Sequence, residues 1–275
     1  MGLAPSGRVP VAPRRRPDRA PPSGERAHER EFVPICGLPA VQALFARDPA
    51  RVERLFFEPR FAEALAGPRR LMAQARKPYR EVAADELARI AGTVRQGGGV
   101  AVARPRPLPP LDPKRVADWA RENRPLLVLD GIGNPHNLGA ILRSAAYFGM
   151  ARALLAERPE QALPSASSYR IAEGALEQLL LYRAELPAAI GALRRGGFRV
   201  VGTALGRAIP LADLHRDKPV ALVLGNEERG LEPATLALCD SVVTIPGVTI
   251  PGGDGVQSLN VAAAAAILLY VLTSR

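Results

Sequence analysis

From residue 125 onward the chain alternates between short unbroken apolar runs and longer stretches in which apolar side chains return every three or four positions. The first texture predicts buried strands over residues 126–129, 153–155, 179–182, 199–203, 220–224 and 242–245; the second predicts helices over 138–148, 165–173, 186–195, 232–238 and 259–272. Strands that are apolar on both faces and separated by helices predict a largely parallel sheet covered on both sides, an α/β fold. On such a sheet ligands bind beyond the carboxyl ends of the strands, where the loops 130–137, 225–230 and 247–257 emerge.

Upstream the pattern changes. Residues 32–103 predict helices over 41–45, 61–65, 71–76 and 84–91 and strands over 52–57 and 99–103, a small α/β domain. Residues 104–124 contain RPRPLPPLDPKR, a stiff basic linker, then a short helix over 115–122 that carries Trp119. Residues 1–31 mix Pro, Arg, Ser and Gly with few large apolar side chains, so they predict a disordered basic tail. In it Arg14, Arg15 and Arg16 can touch a phosphate backbone or merely solvate a linker. The expected organisation is a tail (1–31), a small domain (32–103), a linker (104–124) and a large domain (125–275).

Composition adds a partner class. The 275 residues are 47% hydrophobic, enough for a full core, and 37 Lys and Arg against 27 Asp and Glu leave a net charge of +10. A pI near 10.5 fits a polyanionic partner, although the heavy use of Arg, Ala, Pro and Gly also fits a biased coding composition. Cys36 and Cys239 have no Cys or His at metal-ligand spacing, so no metal site is expected and both read as small buried apolar residues in a reducing compartment. The longest apolar run, residues 259–272, falls short of the ~20 residues of a membrane-spanning helix, and the first residues carry no apolar core of a secretory signal. A cytoplasmic protein with no membrane partner is expected.

Three segments place polar residues among glycines at the expected strand ends. In DGIGNPHNLGAILRSAAYFG (130–149) the turn reads as ending at Asn137, a helix cap, with Arg143 further along the helix. Gly131 and Gly133 begin a dinucleotide fingerprint, but the third glycine is misplaced and no acidic residue follows at the ribose-binding distance, which argues against an oxidoreductase. By itself Arg143 reads better as a solvated helix residue or a surface ion pair than as a site residue. In VLGNEERGL (223–231) a strand ends at Gly225 and exposes Glu227 and Glu228, which alone could be a charged loop. The third segment, SVVTIPGVTIPGGDGVQSLNVAAAAAILLY (241–270), runs from a strand through Gly247, Gly252, Gly253 and Gly255 to an Ala-rich helix whose mouth holds Ser258, Leu259 and Asn260, with Ser258 a suitable cap.

NLGAILRSA (137–145), LGNEERGL (224–231) and SLNVAAA (258–264), in this order, resemble the three motifs of the SpoU/TrmH branch of the SPOUT RNA methyltransferases. ICGLPAVQALF (35–45) is similar to the start of the small L30e-like RNA-binding domain that many members carry. The resemblance implies a C-terminal trefoil knot, S-adenosylmethionine as cofactor, a homodimer, and methyl transfer to a ribose 2'-hydroxyl of ribosomal or transfer RNA. It implies cofactor contacts at Leu205, Gly225, Ile245 and Leu259, and a catalytic set of Asn137, Arg143, Glu227, Ser258 and Asn260. The IPG at Ile245 recurs at Ile250 and lengthens the third loop; Ile245 fits the distance from Gly225, Ile250 the distance to Leu259. The other reading is a non-catalytic RNA-binding protein with a degenerate methyltransferase fold.

Overall fold

The computed structural model describes residues 32–205, 208–215, 217–247 and 258–274. The expected tail (1–31), and in the third loop Ile250, Gly252, Gly253 and Gly255, lie outside them.

The strands β1 (Val33–Cys36), β2 (Val52–Phe57), β3 (Tyr79–Glu81) and β4 (Gly99–Ala103) form a four-stranded sheet in the order β1-β4-β2-β3. β4 is antiparallel to both neighbours and β3 is parallel to β2. Helices α1 (Leu38–Arg47), α2 (Ala66–Gln74) and α3 (Ala84–Ala91) connect them. The helix expected over 61–65 is instead a 3-10 turn at Pro59–Phe61 followed by turn residues, and the helix expected over 71–76 starts earlier, as α2 from Ala66. Pro68 allows the early start because it falls in the first turn of α2, where an amide hydrogen has no partner to lose.

Beyond α4 (Val116–Arg121) the chain lays down β5 (Leu126–Asp130), α5 (Pro135–Tyr147), β6 (Arg152–Ala156), α6 (Ala166–Ala172), α7 (Ala175–Gln178), β7 (Leu180–Ala184), α8 (Leu186–Arg195), β8 (Arg199–Thr203), β9 (Ile209–Pro210), β10 (Val220–Gly225), α9 (Pro233–Ala237), β11 (Ser241–Thr244) and α10 (Val261–Thr273). The large sheet runs β7-β6-β5-β10-β8-β11-β9, with parallel pairings throughout. Alternate residues of its strands serve two cores. Leu127, Leu129, Leu222 and Leu224 face α5 and α10, while Val128, Leu154, Ala221 and Val223 face α8. That double burial is why these strands read as unbroken apolar runs, and each fully buried side chain contributes roughly 1.5–3 kcal/mol.

The Pro-rich segment is not a free spacer. Pro110 bridges Arg183 on the outer edge of β7, Leu111 donates its amide hydrogen to the Arg183 carbonyl at 2.9 Å, and Arg183 donates to Pro109 at 2.9 Å. Trp119 in α4 is buried, with Tyr182 5.1 Å away and the Arg152 guanidinium 4.9 Å from its ring centre. Cys36 is buried as expected, whereas Cys239 is only half-buried, its thiol donating to the Thr235 carbonyl at 3.4 Å. Among the described residues no helix is long and apolar enough to cross a membrane.

Candidate functional site

Strand order reverses between β5 and β10. The chain leaves β5 toward β6 and β7 on one side and returns through β8 and β10 on the other, so the loops after β5 and β10 diverge from a shared edge. Asp130 and Gly225 are register partners there, at the carboxyl ends of both strands. A parallel sheet opens a crevice at such a point.

Helix α5 begins one turn earlier than its apolar spacing predicts. Its cap is Asn134, which accepts the His136 amide hydrogen at 2.8 Å, with Pro135 in the first helical position. Asn137, expected as the cap, is therefore inside the first turn and its side chain is free for other partners. The last helix is shifted the other way. Asn260, not Ser258, caps α10 by accepting from Ala262 at 2.9 Å.

These shifts join the three segments through one carboxylate. Glu227 accepts from the Asn137 side-chain amide at 2.9 Å and from the backbone amides of Gly133 and Asn134 at 3.2 and 3.3 Å. Asn137 in turn accepts from the Asn260 side chain at 3.2 Å. Partial burial pushes the Glu227 pKa up, but the hydrogen bonds from Asn137 and the loop amides outweigh it and hold the carboxyl below the usual range. The group is a saturated anion, and its role is to tie the loop after β5 to the loop after β10.

Beside this chain lies a cavity of about 960 Å³, and Leu205, Gly225, Glu227, Ile245, Ser258 and Leu259 all line it. Gly225 is required by close approach. A Cβ there would sit 2.3 Å from the Gly230 carbonyl carbon and the Leu231 nitrogen, inside the tight turn that Asn226 and Gly230 close with reciprocal 2.9 Å backbone hydrogen bonds. The volume is in the range of small-molecule sites, roughly 300–1,000 Å³. Its lining mixes apolar side chains with main chain, which suits a ligand with an apolar body and a few polar groups.

Arg143 is not among the residues lining the cavity. Its guanidinium pairs with Glu173 at 2.8 Å, with both side chains about half exposed.

Four supporting residues were not visible in the sequence pattern. The Asn226 side chain donates to the Gly131 carbonyl at 2.8 Å and accepts from Glu228 and Arg229 at 3.0 and 3.1 Å, fixing the turn that presents Glu227. Its position between Gly225 and Glu227 was a usable turn signal. Gln161 accepts from Gly131 and Ile132 at 3.0 and 3.2 Å. Asp130 is fully buried with Arg158 at 3.0 Å, a charge contact without hydrogen-bond geometry, and Arg158 also donates to Thr235 at 3.3 Å. Gln161 and Arg158 carried no signal, because their partners are about 30 residues away in sequence.

Comparison with known proteins places this arrangement. The model of the SpoU rRNA methylase family matches residues 124–270. The chain is 32% identical over 240 residues to the 23S rRNA (guanosine-2'-O-)-methyltransferase RlmB of Acinetobacter baylyi, covering 85% of this chain and 94% of that one. It is 35% identical to the RlmB of a Burkholderia species, with 85% and 93% covered. Its fold is similar to that of the SpoU methyltransferase AviRb from Streptomyces viridochromogenes, solved in complex with AdoMet, with a TM-score of 0.70, 25% identity and coverage of 91% and 93%. The chain belongs to the SpoU rRNA methylase family.

Proposed function

We propose that this protein is an S-adenosylmethionine-dependent methyltransferase that acts on a ribose 2'-hydroxyl of ribosomal RNA, with a guanosine of 23S rRNA as the target suggested by its relatives. The observation that carries the reading is the hydrogen-bonded chain Glu227–Asn137–Asn260, which joins the three motif segments beside a cavity at the carboxyl ends of β8, β10 and β11 that Glu227, Ser258 and Leu259 help to line. Leu205, Gly225, Ile245 and Leu259 would hold the cofactor, largely through main chain. The cofactor supplies a methyl group on a sulfonium, open to in-line displacement by the ribose oxygen.

The chain's own residues position the acceptor and ease loss of its proton. Glu227 is no general base, because its oxygens are occupied by Asn137, Gly133 and Asn134. Asn137, Asn260 and Ser258 orient the nucleotide. A guanidinium carries no lone pair fit to take a proton, so Arg143 serves as a cation: it takes the neighbouring phosphate and lowers the pKa of the 2'-hydroxyl through its field, the proton leaving by phosphate or water. Its exposed pair with Glu173 is worth only about 0–1 kcal/mol, so exchange for an RNA phosphate is easy.

The larger organisation follows the same reading. The last helix turns back from β11 to pack on α5 and β10, which supports a C-terminal trefoil knot. Tyr147, Ile267 and Tyr270 are exposed on α5 and α10, which supports a homodimer built on that face. The four-stranded unit reads as an L30e-like RNA-binding domain, residues 32–103, joined by the segment 104–124 to the methyltransferase domain. Arg60 over Phe61 and Arg80 over Phe56, at 4.8 and 5.8 Å, give it guanidinium and aromatic faces of the kind that meet phosphates and unstacked bases. Calorimetric titration with S-adenosylmethionine tests the reading together with Arg143→Ala, which should keep cofactor affinity and lose transfer. Absence of cofactor binding by the folded parent would favour the non-catalytic RNA-binding alternative.

A further inference from the structure

The junction between the four-stranded unit and the large sheet contains a buried charge network that the reaction does not use. Arg51, in the turn before β2, leaves 7% of its side chain exposed and Glu177, in α7, leaves 3%. The Arg51 guanidinium donates to both Glu177 oxygens at 3.0 and 3.2 Å, to the Tyr169 hydroxyl at 3.1 Å, and to the Arg104 carbonyl at 3.1 Å. Arg106 closes the network by donating to the carbonyls of Leu176 and Leu179. Taking an ion pair out of water is costly, and it persists only where geometry and further hydrogen bonds repay the loss.

The surrounding packing is equally close. A Cβ on Gly174, whose φ is +93°, would sit 2.9 Å from the Pro39 carbonyl oxygen and 3.0 Å from the Ala43 Cβ, so α1 rests directly on the turn between α6 and α7. On the other side of α6, a Cβ on Gly139 would sit 2.7 Å from the Ser168 oxygen, so α6 presses on α5 near Asn137. Arg170 spans the same gap, donating to Thr93 at 3.3 Å with His136 3.5 Å away.

We infer that Arg51, Glu177, Tyr169 and Arg106 form an interdomain lock that holds the four-stranded unit at a fixed distance from α5, so that RNA gripped by that unit meets the reaction centre in one register. The functional part rests on the methyltransferase reading above. Arg51 and Glu177 are positioning residues for the RNA, with no contact to the reacting atoms. Removing both charges together avoids stranding one of them.

The test is the double variant Arg51→Ala/Glu177→Ala in the full chain, which removes the bonds without supplying replacement packing, with Arg51→Lys as a milder second variant should the double one fold poorly. Two readouts are taken: the distance between spin labels at Glu63 and Lys218 on a cysteine-free background, and steady-state transfer to ribosomal RNA. The lock predicts a broadened distance distribution, unchanged S-adenosylmethionine affinity, a KM for RNA raised at least tenfold and a kcat within about twofold, with Arg51→Lys intermediate. An unchanged distance distribution, or a broadened one with unchanged KM, overturns it. A parent protein without transferase activity would overturn the functional reading, and the label distances would still decide whether the lock exists.

Discussion

Glu227 concentrates the chemistry of the site at residue scale, because one carboxylate organises two loops. Replacing it with Gln turns one acceptor oxygen into a donor facing the Gly133 or Asn134 amide hydrogen, which costs about 1–3 kcal/mol for an unmatched partly buried group. Glu227→Gln should lower kcat/KM for RNA at least tenfold, read by methyl transfer. The pH dependence has a defined sign. The folded pKa lies below the ordinary value of 4.5, so the carboxylate's contribution is present above about pH 4.5 and is lost as pH falls through the folded value. Melting temperature should fall over that acid window in the parent and fall less in Glu227→Gln. Gly225→Ala places a methyl group against the Gly230–Leu231 backbone and should abolish cofactor binding in calorimetry. Both thiols are pushed up to about 11, chiefly by burial, so alkylation at pH 8 should run about a hundredfold slower than for free cysteine. A fast-reacting Cys36 would show that the small unit opens.

The elements themselves show how far sequence pattern reaches. LLVL (126–129) and VALVLG, the apolar runs of β5 and β10, are legible because double burial leaves no polar position in them. β3 is not, since all its residues are exposed and no alternation marks it. α7 hides behind the left-handed Gly174, which separates it from α6 without a change in composition. The caps were misread for a related reason. Asn134 and Asn137 are both good cap residues, and Pro135 decides between them by favouring the first helical position. Asn134→Ala should then destabilise the protein by about 1 kcal/mol in denaturant melts. Resemblance gave Glu227 its place in the site, but its hydrogen bonds to the loop after β5 were not legible, since bonds across about 90 residues leave no local trace. The homodimer proposed on the exposed face of α5 and α10 carries its own prediction: in sedimentation velocity the parent should run as a dimer and Tyr270→Glu as a monomer.

At the scale of the whole molecule, the two sheets share one apolar core that runs from Leu44 and Phe57 through Leu129 and Leu155 to Leu268. The basic, Pro-rich segment expected to be a spacer is instead pinned along β7. This continuity joins the four-stranded unit to the sheet whose β8, β10 and β11 ends carry the cavity. The central claim is that the hydroxyl methylated is a ribose 2'-oxygen. The direct measurement is to incubate the protein with unmodified ribosomal RNA and methyl-labelled S-adenosylmethionine, then hydrolyse the RNA in alkali. The account predicts label in alkali-resistant dinucleotides, lost in Arg143→Ala. Label confined to mononucleotides would mean base methylation and would contradict it.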